Sequence, residues 1–255
     1  MVLLKVLIFL FLYSSVVFSW SLAPKYTDSV ETIHETIDRF SELKNIFYKN
    51  RDHRLIFTEV YLNITKQIDL DLSNHRYQDS KWVEVIVVEF GNKYLKALRN
   101  FENGEFSKVP APWLAAFKIN ETKSYKVSAQ LLLGMNAHIN NDLPYSLNTT
   151  FNNGFAPDLV KSDYFLMNKM FEEKVPEINN IIERQHNFLY SGDKGLKDYF
   201  VFKVLQSMRE QAWKFGMGLN SSYARTRINT MIEMGRVSRK YSAYIINGHF
   251  FIPRY

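Results

Sequence analysis

Between Val127 and Leu143 the chain is at its most apolar, with Leu131, Leu132, Leu133, Met135, Ala137 and Ile139, yet this stretch also carries Asn136, His138, Asn140, Asn141 and Asp142. Such hydrophobicity implies burial, and a buried polar group without a partner costs on the order of 1–3 kcal/mol. The polar residues must therefore find partners in the interior. His138 and Asp142 are four residues apart, so on a helix they share a face and can converge on one ion or one substrate. The plainer alternative is that Asp142 orients the imidazole within a satisfied buried network. Pro144 ends or kinks the segment.

The rest of the chain reads as helices. Ten Gly and seven Pro in 255 residues disfavour turn-dense β architectures. Asp28 or Ser29 can cap a helix carrying Val30, Ile33, Ile37 and Phe40 at helical spacing. Asp52 precedes a second with Leu55, Ile56 and Val60, and Asp79 or Ser80 opens a third from Trp82 to Leu98. Further helices are expected over Leu159 to Phe171, Pro176 to Phe188 with the proline in the first turn, Leu196 to Trp213, and Arg225 to Ile246. Helix following helix without a low-complexity linker predicts an all-α, single-domain helical bundle. The absence of cysteine excludes disulfide scaffolds, thiolate nucleophiles and Cys-based zinc sites.

Met1 to Ser19 reads as a secretory signal, with Lys5 ahead of an apolar stretch and a small residue at the cleavage point. Cleavage there divides the chain into a 1–19 leader and a 20–255 helical domain with no later transmembrane helix. Four Asn-x-Ser/Thr acceptors, at Asn63, Asn120, Asn148 and Asn220, agree with a glycoprotein of the secretory-pathway lumen or the extracellular space.

The run from Leu131 to Pro144, Leu-Leu-Leu-Gly-Met-Asn-Ala-His-Ile-Asn-Asn-Asp-Leu-Pro, resembles the signature of an uncharacterised family, DUF5995. Asp52 with Tyr61 and Thr65, Asp79 before Phe90 and Tyr94, Pro112-Trp113, Asp163 with Asn168, and Arg209 with Trp213 follow the family-like order around it. The resemblance implies an all-helical domain with a polar centre and brings no established activity. A fainter likeness is to helical zinc phospholipases C and single-strand nucleases, through Trp20, His34 and the His138–Asp142 spacing. The chain departs from that motif where a further histidine is expected and Tyr145, Ser146 and Leu147 stand.

A metal centre in a bundle draws carboxylates and imidazoles from several helices. His138, Asp142, Asp52, Asp79 and Asp163 supply those groups, and a histidine among oxygen ligands favours Zn²⁺, Fe²⁺ or Mn²⁺. Each aspartate also has a structural explanation near a helix start, where it stabilises exposed amides. Arg209 and Trp213 share a helix face and could grip an anionic group beside an aromatic wall, or stack structurally. Tyr61, Tyr94 and Trp113 offer hydroxyl or indole donors. Arg225, Arg227, Arg236, Arg239 and Lys240 lie among Met231, Ile232, Met234 and Val237, a pattern suited to a solvated face or to peripheral contact with anionic membranes. Nucleic acid is disfavoured, because no recognised binding motif accompanies these charges.

Two functions follow. One is a secreted enzyme in which His138 and Asp142 carry the chemistry, with a metal or by acid–base work, while Asn136, Asn141, Tyr61, Arg209 and Trp213 bind a small or lipid-like substrate. A hydrolase is the plainest class, with lyase, isomerase or oxidase as alternatives. The other is a non-catalytic binding protein whose Phe and Tyr residues line an apolar cavity.

Overall fold

The computed structural model describes residues 22–119, 127–189 and 198–247, with 186–189 and 198–203 described by backbone alone. The stretch Met1 to Ser19 read above as a leader, Trp20, the expected acceptor Asn120 and His249 lie outside these residues. An all-α, single-domain bundle is observed, as the patterning predicts. Its helices are α1 (Ile33–Lys49), α2 (Leu55–Ser73), α3 (Ser80–Glu102), α4 (Ala111–Lys118), α5 (Val127–Met135), α6 (Leu143–Asn152), α7 (Pro157–Leu189), α8 (Asp198–Leu219) and α9 (Ala224–Ile246). Among the described residues no helix is long and apolar enough to cross a membrane.

Local chemistry fixes the helix starts, with one shift from expectation. Helix α1 begins after Thr32, whose hydroxyl accepts the Glu35 N–H at 3.1 Å while the Glu35 carboxylate accepts the Glu31 N–H at 2.7 Å. Asp28 and Ser29 do not cap it, because Val30 is pinned outside the helix: Asn92 on α3 both accepts its N–H and donates to its carbonyl, each at 2.9 Å. Asp79 does cap α3, accepting the Trp82 N–H at 2.9 Å.

The expected break before Pro176 is absent, and one helix runs from Pro157 to Leu189. An internal proline costs about 3 kcal/mol. What offsets it is an apolar stripe that keeps helical spacing on both sides, with Tyr164, Met167, Met170 and Phe171 before the proline and Ile178, Ile181 and Ile182 after it, all buried. Helix α7 lies antiparallel to α2. Arg76 near the end of α2 meets Glu173 at 3.2 Å, Asn63 meets Glu177, and Glu59 near its start meets Arg184 at 2.7 Å.

Two apolar cores flank the middle of the bundle. One gathers Ile56, Val83, Ile86, Leu147, Met170, Ile182 and Met208, and the other Phe40, Phe47, Leu55, Tyr94, Trp113 and Phe117. The segment Asn136–Asp142 passes between them: Met135 and Ile139 belong to the first, Leu133 and Ala137 to the second. The fold thereby buries polar groups between them: Asn136, His138, Asn140 and Asp142 are each at most 3% exposed.

Close approach of α5 to α2 depends on Gly134. A Cβ there would stand 2.6 Å from Cδ2 of Phe57 and 3.1 Å from its Cβ. Gly134→Ala is therefore expected to destabilise the protein by about 1–3 kcal/mol, as overpacking does, read as a lower urea midpoint at unchanged slope.

Candidate functional site

Residues Asn136–Asp142 are π-helical, and the Leu143 N–H donates to the His138 carbonyl five residues back. Pro144 supplies the reason. It has no N–H for the Asn140 carbonyl four residues earlier, and its ring would press on that carbonyl in an α-helix. A wider turn relieves the conflict, and such turns recur at functional sites.

That turn carries an imidazole–carboxylate pair. Asp142 Oδ2 lies 3.1 Å from His138 Nδ1 and accepts the Trp113 indole N–H at 2.7 Å, while Asn141 Nδ2 donates to Oδ1 at 2.8 Å. A carboxylate only accepts, so Nδ1 bears the imidazole proton and Nε2 presents a lone pair. Nε2 is buried without a hydrogen-bond partner. Burial pushes the His138 pKa below its ordinary 6.5, outweighing the hydrogen bond and charge of Asp142 that pull it upward. The ring is therefore neutral at physiological pH.

Aromatic rings enclose the imidazole. Phe90 stacks on it with centroids 3.3 Å apart and planes 11° from parallel, and Tyr61 and Phe57 meet it edge-on at 4.9 and 5.4 Å. His138, Phe57, Tyr61 and Phe90 are also walls of a cavity whose further lining comes from α2, α3, α7 and α8. Centres of water-sized spheres fit throughout about 90 Å³ of it, several times the roughly 10–15 Å³ that one water needs. Along α2 its lining runs from Phe57 to Ile68, roughly 16 Å at the rise of an α-helix. Its surface is almost wholly apolar. The hydroxyls along it are turned to carbonyls, Tyr61 to Val87 at 3.3 Å, Thr65 to Tyr61 at 2.9 Å and Tyr164 to Arg209 at 2.7 Å.

Of the residues singled out in the sequence, His138, Tyr61 and Arg209 line this cavity. Asn141 holds the carboxylate. Asn136 is turned away, donating to the Ser238 carbonyl at 2.8 Å and the Ser242 hydroxyl at 2.9 Å and accepting from Asn140 at 2.9 Å, so it ties the π turn to α9. Trp213 packs with Phe151, Tyr164 and Phe165.

The three other aspartates do not converge on His138. Asp52 is bound to Arg54 at 2.7 Å, and Arg54 also pairs with Glu102. Burial alone would raise the Asp52 pKa, but Arg54 overrides it and the pKa falls. Asp79 caps α3, and Asp163 accepts the N–H groups of Gln78 and Asp79 at 3.0 and 2.7 Å. Among the described residues no three His, Asp or Glu side chains are placed to hold a metal ion. His34 lies on the surface beside Asp69. The described acceptors Asn63, Asn148 and Asn220 are half-buried, with the Asn63 amide donating to Glu177 and that of Asn220 to Asn152.

The sequence analysis overlooked Phe57, whose spacing is that of an ordinary core residue, and named Phe90 only for its place in the family-like order. Trp113 was read only as a potential donor, and its actual acceptor, 29 residues away, had no local signal.

The lowered pKa of His138 has a thermodynamic consequence. His53, with Nε2 3.2 Å from the Ala116 carbonyl, is lowered in the same direction by burial. As pH falls below 6.5 the unfolded chain takes up protons that the folded imidazoles refuse, so stability present above 6.5 declines toward the lowered folded values. Thermal unfolding between pH 7 and 5, above the carboxylate range, is expected to show this decline, and His138→Gln to reduce its slope.

A family of unknown function, DUF5995, matches residues 33–247. Neither a curated protein nor a solved structure matches the chain. With the signature turn at the centre of the bundle and a match extending over most of the sequence, the chain belongs to the DUF5995 family.

Proposed function

We propose that the protein is an acid–base enzyme that takes an elongated, lipid-like molecule into the cavity and uses His138 as the general base. The observation that carries this reading is the buried Nε2 lone pair with no partner, on an imidazole whose other nitrogen is held by Asp142. An unsatisfied buried acceptor costs on the order of 1–3 kcal/mol, and a polar group of a bound molecule would recover that. His138 itself lines the cavity, together with the Phe57, Tyr61 and Phe90 rings that pack on its imidazole.

Hydrolysis is the plainest reaction. A water proton passes to Nε2 as the oxygen attacks an ester carbonyl, Asp142 stabilises the imidazolium, and the proton then leaves with the alkoxide. The apolar leader at Met1 to Ser19 and the four glycosylation acceptors support action in the secretory pathway or outside the cell.

Binding without turnover is the second reading, favoured by the cavity hydroxyls being committed to backbone carbonyls. Hydrolysis of p-nitrophenyl esters of graded acyl length separates the two. The expected result is turnover that grows with chain length and falls by about 10²-fold or more in His138→Gln, with the variant still folded by circular dichroism. An inactive native protein that carries an intact apolar molecule would instead establish the binding reading.

A further inference from the structure

Arg209 is 4% exposed and lines the same cavity at some distance from His138. Its Nε donates to Asn168 Oδ1 and its Nη2 to the Tyr164 carbonyl, both at 2.9 Å, with the Met167 sulfur 3.8 Å away. The guanidinium carbon sits 4.4 Å from the Tyr164 ring centre and 4.8 Å from that of Phe171. All of these partners are neutral. Among the described residues no carboxylate lies within ion-pair distance of it, whereas the other deeply buried arginine, Arg54, has two. A buried charge without a counter-charge costs several kcal/mol, which an anionic group of a bound molecule would offset.

His138 meets Phe57 and Tyr61 in the first half of α2, whereas Arg209 acts electrostatically on Tyr77, just beyond the end of that helix. The two groups thus belong to different stretches of the cavity wall.

The structure assigns Arg209 as the seat of the ligand's anionic end, so that the cavity takes a long-chain carboxylate whose chain runs from Arg209 toward His138. This rests on the reading of the cavity as the ligand site. A carboxylate is preferred to a phosphate because a single guanidinium supplies one compensating charge, and a phosphate monoester carries about 1.5 to 2. Under this assignment the substrate's reacting group lies well down the chain from its acid group.

Calorimetric titration of the native full-length protein with laurate and with dodecan-1-ol, which has no ester to hydrolyse, tests the assignment. Laurate is expected to bind at least about tenfold more tightly, in line with a charge-assisted hydrogen bond. Arg209→Met should lower laurate affinity to that of the alcohol, and His138→Gln should leave the laurate-to-alcohol ratio unchanged. Equal affinity of the native protein for the two would overturn the role of Arg209 while leaving the cavity as a ligand site, and this comparison does not depend on any variant folding. Binding of neither would overturn both.

Discussion

The geometry of the centre depends on one carboxylate. Asp142 accepts from the imidazole of His138, the indole of Trp113 and the amide of Asn141, and so joins α4 to the π-helical turn at the boundary of two apolar cores. Three donors on one buried carboxylate both stabilise its charge and leave it no freedom to turn. The imidazole inherits that rigidity. Because Nδ1–H is committed, Nε2 is the only atom of the ring with unused hydrogen-bonding capacity, and His138 is one of the residues lining the cavity. A side chain in that state is preorganised in the sense that matters for proton transfer: its tautomer, its orientation and its low proton affinity are set before any ligand arrives.

The surrounding elements make this possible by sparing the centre from other duties. Asn140 donates to Asn136, which in turn anchors the π turn to α9. Asp52, Arg54 and Glu102 form their own buried ion-pair cluster, and Asp79 and Asp163 serve the start of α3. The polar groups these networks leave on the wall of the apolar space are His138 Nε2 and Asn179 Nδ2, both buried without a hydrogen-bond partner, and the Arg209 guanidinium.

What could be read from the sequence follows from how local each signal is. Helical spacing of apolar residues spans a few turns, so the bundle was legible, and the four-residue spacing of His138 and Asp142 in an apolar run was enough to place them together in the interior. The π turn had only one sequence signal, Pro144, which equally suggests a helix end. An aspartate before an apolar run reads the same as a cap or as a ligand, which is why Asp52, Asp79 and Asp163 were ambiguous until their hydrogen bonds were seen. An apolar cavity lined by Phe and Tyr was one of two expectations, but which residues line it was not legible. Phe57, Phe90, Tyr164 and Phe171 come from three helices spread along the chain, and nothing in their spacing distinguishes residues around a void from residues around a solid core.

The most direct test of the account is the protonation state of His138, read by long-range proton–nitrogen correlation in nitrogen-labelled protein and assigned by comparison with His138→Gln. The account predicts a neutral ring protonated at Nδ1, with an unprotonated Nε2 resonance that persists as pH is lowered through 6. A ring that is already cationic at pH 6.5, or one protonated at Nε2 instead, would contradict it.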